Sequence, residues 1–154
     1  MSNFDPAAFL EMPIDQPLER RNPLPAGRDY IAEIKSVEPK PWTKTAEDGT
    51  SKSGIRLAVQ IQLQVPEELR PLGYDSGVFT LTESIMLDLN ASGGLDTAPG
   101  RNNTLRQYRE ALGMNKPGEV FRFSQMVGKL VTVKLKHEDY LGVPQERVAA
   151  IAGA

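Results

Sequence analysis

The chain has 154 residues, with 18 basic and 20 acidic side chains, a net charge of −2 and no cysteine. Its length suits one domain with a hydrophobic core, and its 40% hydrophobic residues exclude a wholly disordered chain. The absence of cysteine excludes disulfides and thiolate metal sites. No apolar run approaches the roughly 20 residues of a membrane span, and the N-terminus lacks the basic start of a secretory signal. The sequence therefore predicts a cytoplasmic protein with no membrane partner.

The first 27 residues carry five prolines and no sustained hydrophobic period. They are predicted to form an irregular, proline-rich N-terminal arm (1–27) ahead of a single domain (28–154). The domain begins with "RDYIAEIKSVE" (28–38), which is rich in Tyr, Ile and Val and predicts a first strand. Pro39 and Pro41 are expected to end that strand, and a long polar loop (40–54) is expected to follow.

Two further strands are indicated by alternating apolar residues. In "IRLAVQIQLQV" (55–65) the apolar side chains occupy every second position, which predicts a strand with one buried face and one polar face. "VFTLTESIMLDL" (78–89) predicts a third strand, in which Glu83 interrupts the apolar face and suggests a bulge or a hydrated position.

The period then becomes helical. In "TLRQYREALG" (104–113), Leu105, Tyr108 and Leu112 share one face, Asn103 or Thr104 can cap the start, and Gly113 stands at the usual stop. "KLVTVKLKH" (129–137) and "VPQERVAAI" (143–151) predict the last two strands, with Pro144 suggesting an edge.

The predicted order is strand, strand, strand, helix, strand, strand. It indicates a mainly β protein with one helix, arranged as a five-stranded OB-like Greek-key barrel, whose ligands lie on the face of strands 2 and 3 between loops 1–2 and 4–5. A plain five-stranded sandwich and other small α+β barrels share much of this pattern.

In such a barrel, polar and basic side chains would form a binding face for single-stranded nucleic acid. An aromatic side chain stacks on any base, and lysines follow the phosphates. The candidate site comprises Lys40, Trp42, Lys44, Lys52, Arg56, Gln60, Gln62, Thr80, Thr82, Lys134, Lys136 and Tyr140.

Other interpretations of these residues stay open. The exterior of any barrel is polar, and Trp42 is as compatible with covering a core edge as with base stacking. Residues 101–136 hold 8 basic and 2 acidic residues, a local charge of +6. Such a segment suits a polyanion-facing surface, and it equally suits a solvated basic helix and strand that balance the acidic remainder.

Catalytic motifs are absent from the sequence. "GGLDTAPGR" (93–101) lacks the glycine spacing and the Gly-Lys-Ser/Thr of a phosphate loop. The single histidine, His137, has no second histidine or cysteine with which to hold zinc, and Asp88, Asp96 and Glu110 match no two-metal motif. The sequence therefore predicts a protein that is not an enzyme and that needs no cofactor or metal.

Several longer sequence segments show a family resemblance: "SNFDPAAFL", "LPAGRDYIAEI", "SKSGIRLAV", "SIMLDL" and "GGLDTAPGRNNTLRQYREALGMNKPGEVFRFSQMVGKLVTVKLKH". Together they resemble a group of small tailed-bacteriophage proteins, often left uncharacterised or described as single-stranded DNA-binding. The resemblance implies an accessory protein of phage replication or recombination, acting in the cytoplasm of an infected bacterium.

The sequence thus predicts a protein that coats or protects single-stranded DNA without base specificity. RNA, a homo-oligomer and phage replication or recombination proteins stay open as further partners. The alternative is a structural or interaction protein, such as a virion component or host-factor inhibitor, that uses the same barrel and the arm to bind protein.

Overall fold

The computed structural model describes residues 3–19 and 21–154. Its strands are β1 (Asp29–Thr45), β2 (Ser51–Gln64), β3 (Val78–Met86), β4 (Leu130–Tyr140) and β5 (Val143–Gly153), and its α-helices are α1 (Pro6–Leu10) and α2 (Asn103–Ala111). All strand pairs are antiparallel and form one open sheet in the order β3-β2-β1-β4-β5. The mainly β class and the position of α2 between the third and fourth strands agree with the prediction, whereas α1 is an element that the sequence pattern does not predict.

The first hairpin is much longer than the sequence suggests. The prediction that Pro39 and Pro41 end the first strand and that 40–54 form a loop is wrong, because β1 and β2 stay paired out to Thr45 opposite Ser51. A short turn closes the hairpin: Ala46 N–H donates to the Thr50 carbonyl at 2.8 Å, and Asp48 accepts from Thr50 Oγ1 at 2.6 Å. These bonds to Thr50 lower the pKa of Asp48.

The two prolines are tolerated because one edge of β1 is free there. β4 pairs with β1 only over Asp29–Glu33, and Ile34 bonds to residues 128 and 129 just before β4. Within the described part of the chain, the remainder of β1 is paired with β2 alone. Successive residues of a strand direct their N–H groups to opposite edges, so two prolines spaced by two remove donors from the same edge. A strand accepts proline where the missing N–H faces no partner.

The hydrophobic core lies on the inner face of the sheet. As the alternation predicts, β2 buries Leu57, Val59, Ile61 and Leu63. The other strands, the segment before β1 and the 3-10 helix Phe123–Met126 add further buried side chains: Leu24, Tyr30, Ile34, Ile85, Met126, Val131, Val133 and Leu135. The core fixes which face of each strand is left for solvent.

Helix α2 covers one end of this core. It buries Leu105 and Tyr108, as its period predicts, and it stops before Gly113, whose φ of +69° suits the left-handed conformation. The N-cap is Asn102 rather than Asn103 or Thr104, and its side chain instead holds the preceding loop by accepting from Asp88 N–H at 2.7 Å. Among the described residues, no helix has the length and apolarity that a membrane crossing needs.

Glu83 links the two outer strands of the sheet. The β2–β3 ladder runs without a register shift, so the suggested bulge is absent. The Glu83 carboxylate reaches β5, where Oε1 accepts from the Val148 N–H at 2.6 Å and Oε2 lies 3.9 Å from an Arg147 nitrogen. Burial raises the pKa of Glu83.

Residues 21–27 pack against the sheet through a buried carboxylate. Glu146 on β5 is 6% exposed and accepts from both terminal nitrogens of Arg21 and from the Leu24 N–H. Tyr74 also donates to the Asn22 carbonyl at 2.6 Å. Burial by itself raises the pKa of Glu146, but the bonds from Arg21 and Leu24 outweigh it and leave that pKa below its usual value.

We predict that Glu146→Gln destabilises the fold at neutral pH and much less in acid. Losing charged hydrogen bonds to Arg21 should lower the free energy of unfolding at pH 7 by about 1.5–3 kcal/mol. Because the folded pKa is depressed, this contribution is complete above the unfolded value of about 4.3 and is lost as pH falls through the folded value. Urea unfolding at several pH values measures the difference between the two proteins.

The matched control is Glu138→Gln on the neighbouring strand, where the carboxylate is half exposed and its ion pairs are 3.6–3.7 Å long. It should cost under about 1 kcal/mol. An equal loss in both variants, or a Glu146→Gln loss that persists in strong acid, would contradict the buried-pair interpretation.

Candidate nucleic-acid interface

The outer half of the β1–β2 hairpin gathers basic residues around the single tryptophan. In the ladder, Lys40 lies opposite Arg56, Trp42 opposite Gly54, and Lys44 opposite Lys52. Directly opposed residues project on the same side of a sheet. Four cations and one indole therefore share a surface, which we call the hairpin face and define by Lys40, Trp42, Lys44, Lys52 and Arg56.

The ring of Trp42 lies flat against its cross-strand partner. A Cβ on Gly54 would stand 2.8 Å from Trp42 Cζ2 and 2.9 Å from Nε1, so any larger residue would displace the ring. Trp42 is partly exposed and lies outside the core cluster, and its buried Nε1 has no hydrogen-bond partner among the described residues. The indole is therefore fixed on the surface of the hairpin instead of covering a core edge.

A neutral polar strip continues from the hairpin face onto β3. Gln60 lies opposite Thr82, and Gln62 lies opposite Thr80. Arg56 joins the two regions, since its Nη1 donates to Ser84 Oγ at 3.0 Å. The polar strip, defined as Gln60, Gln62, Thr80 and Thr82, thus lies on the same side of the sheet as the hairpin face.

A cleft of about 690 Å³ borders the polar strip on its other side. It runs between β3 and the β4–β5 hairpin, and Thr80, Thr82 and the 68%-exposed Tyr140 line it. The charged residues that line it are Glu138, Asp139, Glu146 and Arg147. The excess of carboxylates makes this cleft a poor place for phosphates, although Tyr140 keeps an exposed ring at its rim.

The two predicted site lysines of β4 lie apart from the hairpin face. Lys134 donates to Asp29 Oδ1 at 2.7 Å, and Lys136 lies 3.7 Å from a Glu138 oxygen. Within the +6 segment, Arg101 likewise faces Asp96 at 3.2 Å and Asp88 at 3.6 Å. Three of the segment's eight basic residues therefore face carboxylates from outside the segment.

The structure adds Gly54, which the sequence interpretation missed, and gives a specific contact to Ser84, which the alternation of β3 places on the same outward face as Thr80 and Thr82. Gly54 provides the flat seat for Trp42, and Ser84 holds the guanidinium of Arg56. A glycine opposite an aromatic residue is a recognised cross-strand pairing. The pair is visible only when the register is known, and the local sequence signals indicate a loop over 40–54 instead of paired strands.

The described residues contain no group of three or more histidine, cysteine or acidic side chains placed to hold a metal ion. A scan of the chain against models of protein families finds no match, and a search of curated proteins finds no match either.

Proposed function

We propose that this protein binds single-stranded DNA without sequence preference, through the hairpin face and the polar strip. The observation that carries the proposal is the register of β1 and β2, which sets Trp42 among Lys40, Lys44, Lys52 and Arg56 on one side of the sheet. Binding would be stoichiometric, and the protein would coat or protect the strand.

The chemistry of this surface suits an unpaired strand. A base stacked on a fixed aromatic ring gains roughly 1–3 kcal/mol whatever its identity, and flanking cations neutralise phosphates on either side. The glutamines and threonines of the polar strip offer both donors and acceptors to base edges and sugars. In duplex DNA the base faces are already stacked on each other, so the free energy of stacking on Trp42 is available only to single strands.

We also propose that the open sheet belongs to an OB-like Greek-key barrel. The order β3-β2-β1-β4-β5 is what such a barrel gives when it is opened between β3 and β5. The Glu83 contact to Val148 across that gap supports closure, and so does the contact of α2 with both strands. In that architecture the face of strands 2 and 3 is the usual ligand surface.

The resemblance to small tailed-phage proteins supports a role in phage DNA replication or recombination. The bacterial cytoplasm is the compartment that this role implies. An equal affinity for oligo-rU and oligo-dT would extend the proposal to RNA.

One observation favours the second candidate, a structural or interaction protein. Several apolar residues of the N-terminal segment are exposed, including Phe4, Ile14 and Leu18. Such a patch is typical of protein contacts. A salt series separates the candidates, because log affinity for single strands falls with log salt at a slope of about −0.7 per neutralised phosphate.

We predict that oligo-dT quenches the fluorescence of Trp42 and that Trp42→Ala weakens binding by roughly 1–3 kcal/mol. The fold should survive, because Trp42 lies outside the core. Fluorescence titration of the wild type, and mobility shifts of both proteins with single-stranded and duplex oligonucleotides of one length, give the affinities. Unchanged fluorescence at saturating oligo-dT would remove Trp42 from the site.

Gly54→Ala gives a matched test of the ring's position, because its new Cβ must displace the indole without removing it. We expect an altered emission spectrum and weaker binding. Ser53→Ala, one residue earlier and on the opposite side of β2, should change neither.

We predict that the hairpin lysines carry more of the phosphate binding than those of β4. Replacing Lys40, Lys44 and Lys52 by Ala should flatten the salt slope by up to about 0.7 for each phosphate that the variant no longer neutralises. Replacing Lys134 and Lys136 should do less, because Asp29 and Glu138 already face them. Titrations between low and high salt measure both slopes, and a larger effect of the β4 pair would contradict this assignment.

A further inference from the structure

The N-terminal segment of residues 3–19, which we call the arm segment, is exposed along its whole described length. It carries six large apolar side chains that are more than half exposed: Phe4, Phe9, Leu10, Met12, Ile14 and Leu18. The exposed fraction reaches 97% at Leu18 and 81% at Ile14. Because removing apolar surface from water is favourable in proportion to its area, this segment has much to gain from a partner surface.

The arm segment is also acidic. It holds four carboxylates and no basic residue: Asp5, Glu11, Asp15 and Glu19. Asp5 caps α1 by accepting from the N–H groups of Ala7 and Ala8. With the five residues of α1 helical at about 1.5 Å each and the rest at most roughly 3.3–3.6 Å each, the segment spans up to about 50 Å, which is enough to reach a neighbouring molecule. Its partner should therefore offer an apolar floor with a basic rim.

The chain itself carries a surface of that description beside α2. A cavity of about 340 Å³ lies between the loop before α2 and the helix itself. Its accessible apolar lining comes from Leu95, Ala98 and Pro99, above the buried Leu105, and its basic lining from Arg101, Arg106 and Arg109. We call this cavity the α2 groove, and Asp96 is the only carboxylate among its described lining residues.

The basic rim of the α2 groove is partly fixed in place. Arg109 donates from Nε to the Met114 carbonyl at 3.1 Å, and its guanidinium lies 4.3 Å from the Phe121 ring centroid. Arg101 faces Asp96. Arg106 is exposed on α2, so it can turn toward an acidic ligand, and it can be replaced without breaking the contacts of the other two.

We infer that the arm segment of one copy docks in the α2 groove of a second copy. The arm segment is acidic and the α2 groove is basic, and each contributes apolar side chains to the contact. The hairpin face is basic but lacks an apolar floor, and the cleft beside β3 is acidic, so neither matches the arm segment as well. Each copy holds one arm and one groove, so the contact either pairs two copies reciprocally or continues from copy to copy.

Charge exchange tests this inference on the full chain without nucleic acid, so its outcome is separate from that of the proposed function. The arm variant is Glu11→Lys with Asp15→Lys, the groove variant is Arg106→Glu, and the matched control is Lys129→Glu, an exposed residue outside the groove. Sedimentation equilibrium over a range of concentrations gives the mean mass of each protein, and of an equimolar mixture of the arm and groove variants.

We expect the wild type and Lys129→Glu to exceed the mass of one chain increasingly with concentration. The arm and groove variants should each associate roughly tenfold more weakly. Their mixture should associate more strongly than either variant alone, because the acidic arm of the groove variant then meets the unchanged groove of the arm variant. A wild type that stays at the mass of one chain would overturn the inference. So would association that neither variant weakens, or a mixture that associates no more strongly than either variant alone.

Discussion

The register of the β1–β2 ladder determines which side chains of the long hairpin face the core and which share its outer surface. A slip of one residue would turn every side chain of a strand to the opposite face. Near the core, the burial of Leu57, Val59 and Ile61 fixes the register. The same register continues along the ladder to the pair Trp42 and Gly54, which lies outside the core. The core thereby decides which residues share the hairpin face.

Local charge balance distinguishes the basic surfaces of the protein. On β4 and around α2, several cations already face carboxylates, as Lys134 faces Asp29 and Arg101 faces Asp96. On the hairpin face, Lys40 and Lys44 have cationic residues opposite them in the ladder. Like charges held together favour the arrival of a polyanion, because each phosphate bound relieves their repulsion. A count of charges along the sequence would instead favour residues 101–136 as the phosphate-binding surface, since that segment holds the larger excess of basic residues.

Much of the fold could be predicted from the chain. The strand β2 and the helix α2 are visible in the sequence because the apolar residues at strand or helix spacing are the ones that the fold buries. The order of the elements follows from the same local patterns. The extension of the hairpin could not be predicted, because Pro39 and Pro41 are local signals for a strand end and only the missing neighbour on that edge cancels them. The Arg21–Glu146 pair joins residues 125 positions apart, and no local pattern announces such a contact.

The candidate site was predictable in composition and not in arrangement. The residue types of the hairpin face were identified, but their grouping required the pairing of Trp42 with Gly54 and of Lys44 with Lys52. Lys134 and Lys136 lie apart from these residues because β4 pairs with β1 only over Asp29–Glu33, far from the outer half of the hairpin. There they face Asp29 and Glu138.

We propose that single-stranded DNA lies across the hairpin face and the polar strip. Backbone amide and indole resonances of the labelled protein, followed by NMR during titration with oligo-dT, test it most directly. If the strand lies there, the single indole N–H signal and the amides of 40–44, 52–62 and 80–82 shift together and saturate at one stoichiometry. Shifts confined to α2 and the loop 90–103, with the indole signal unmoved, would contradict it.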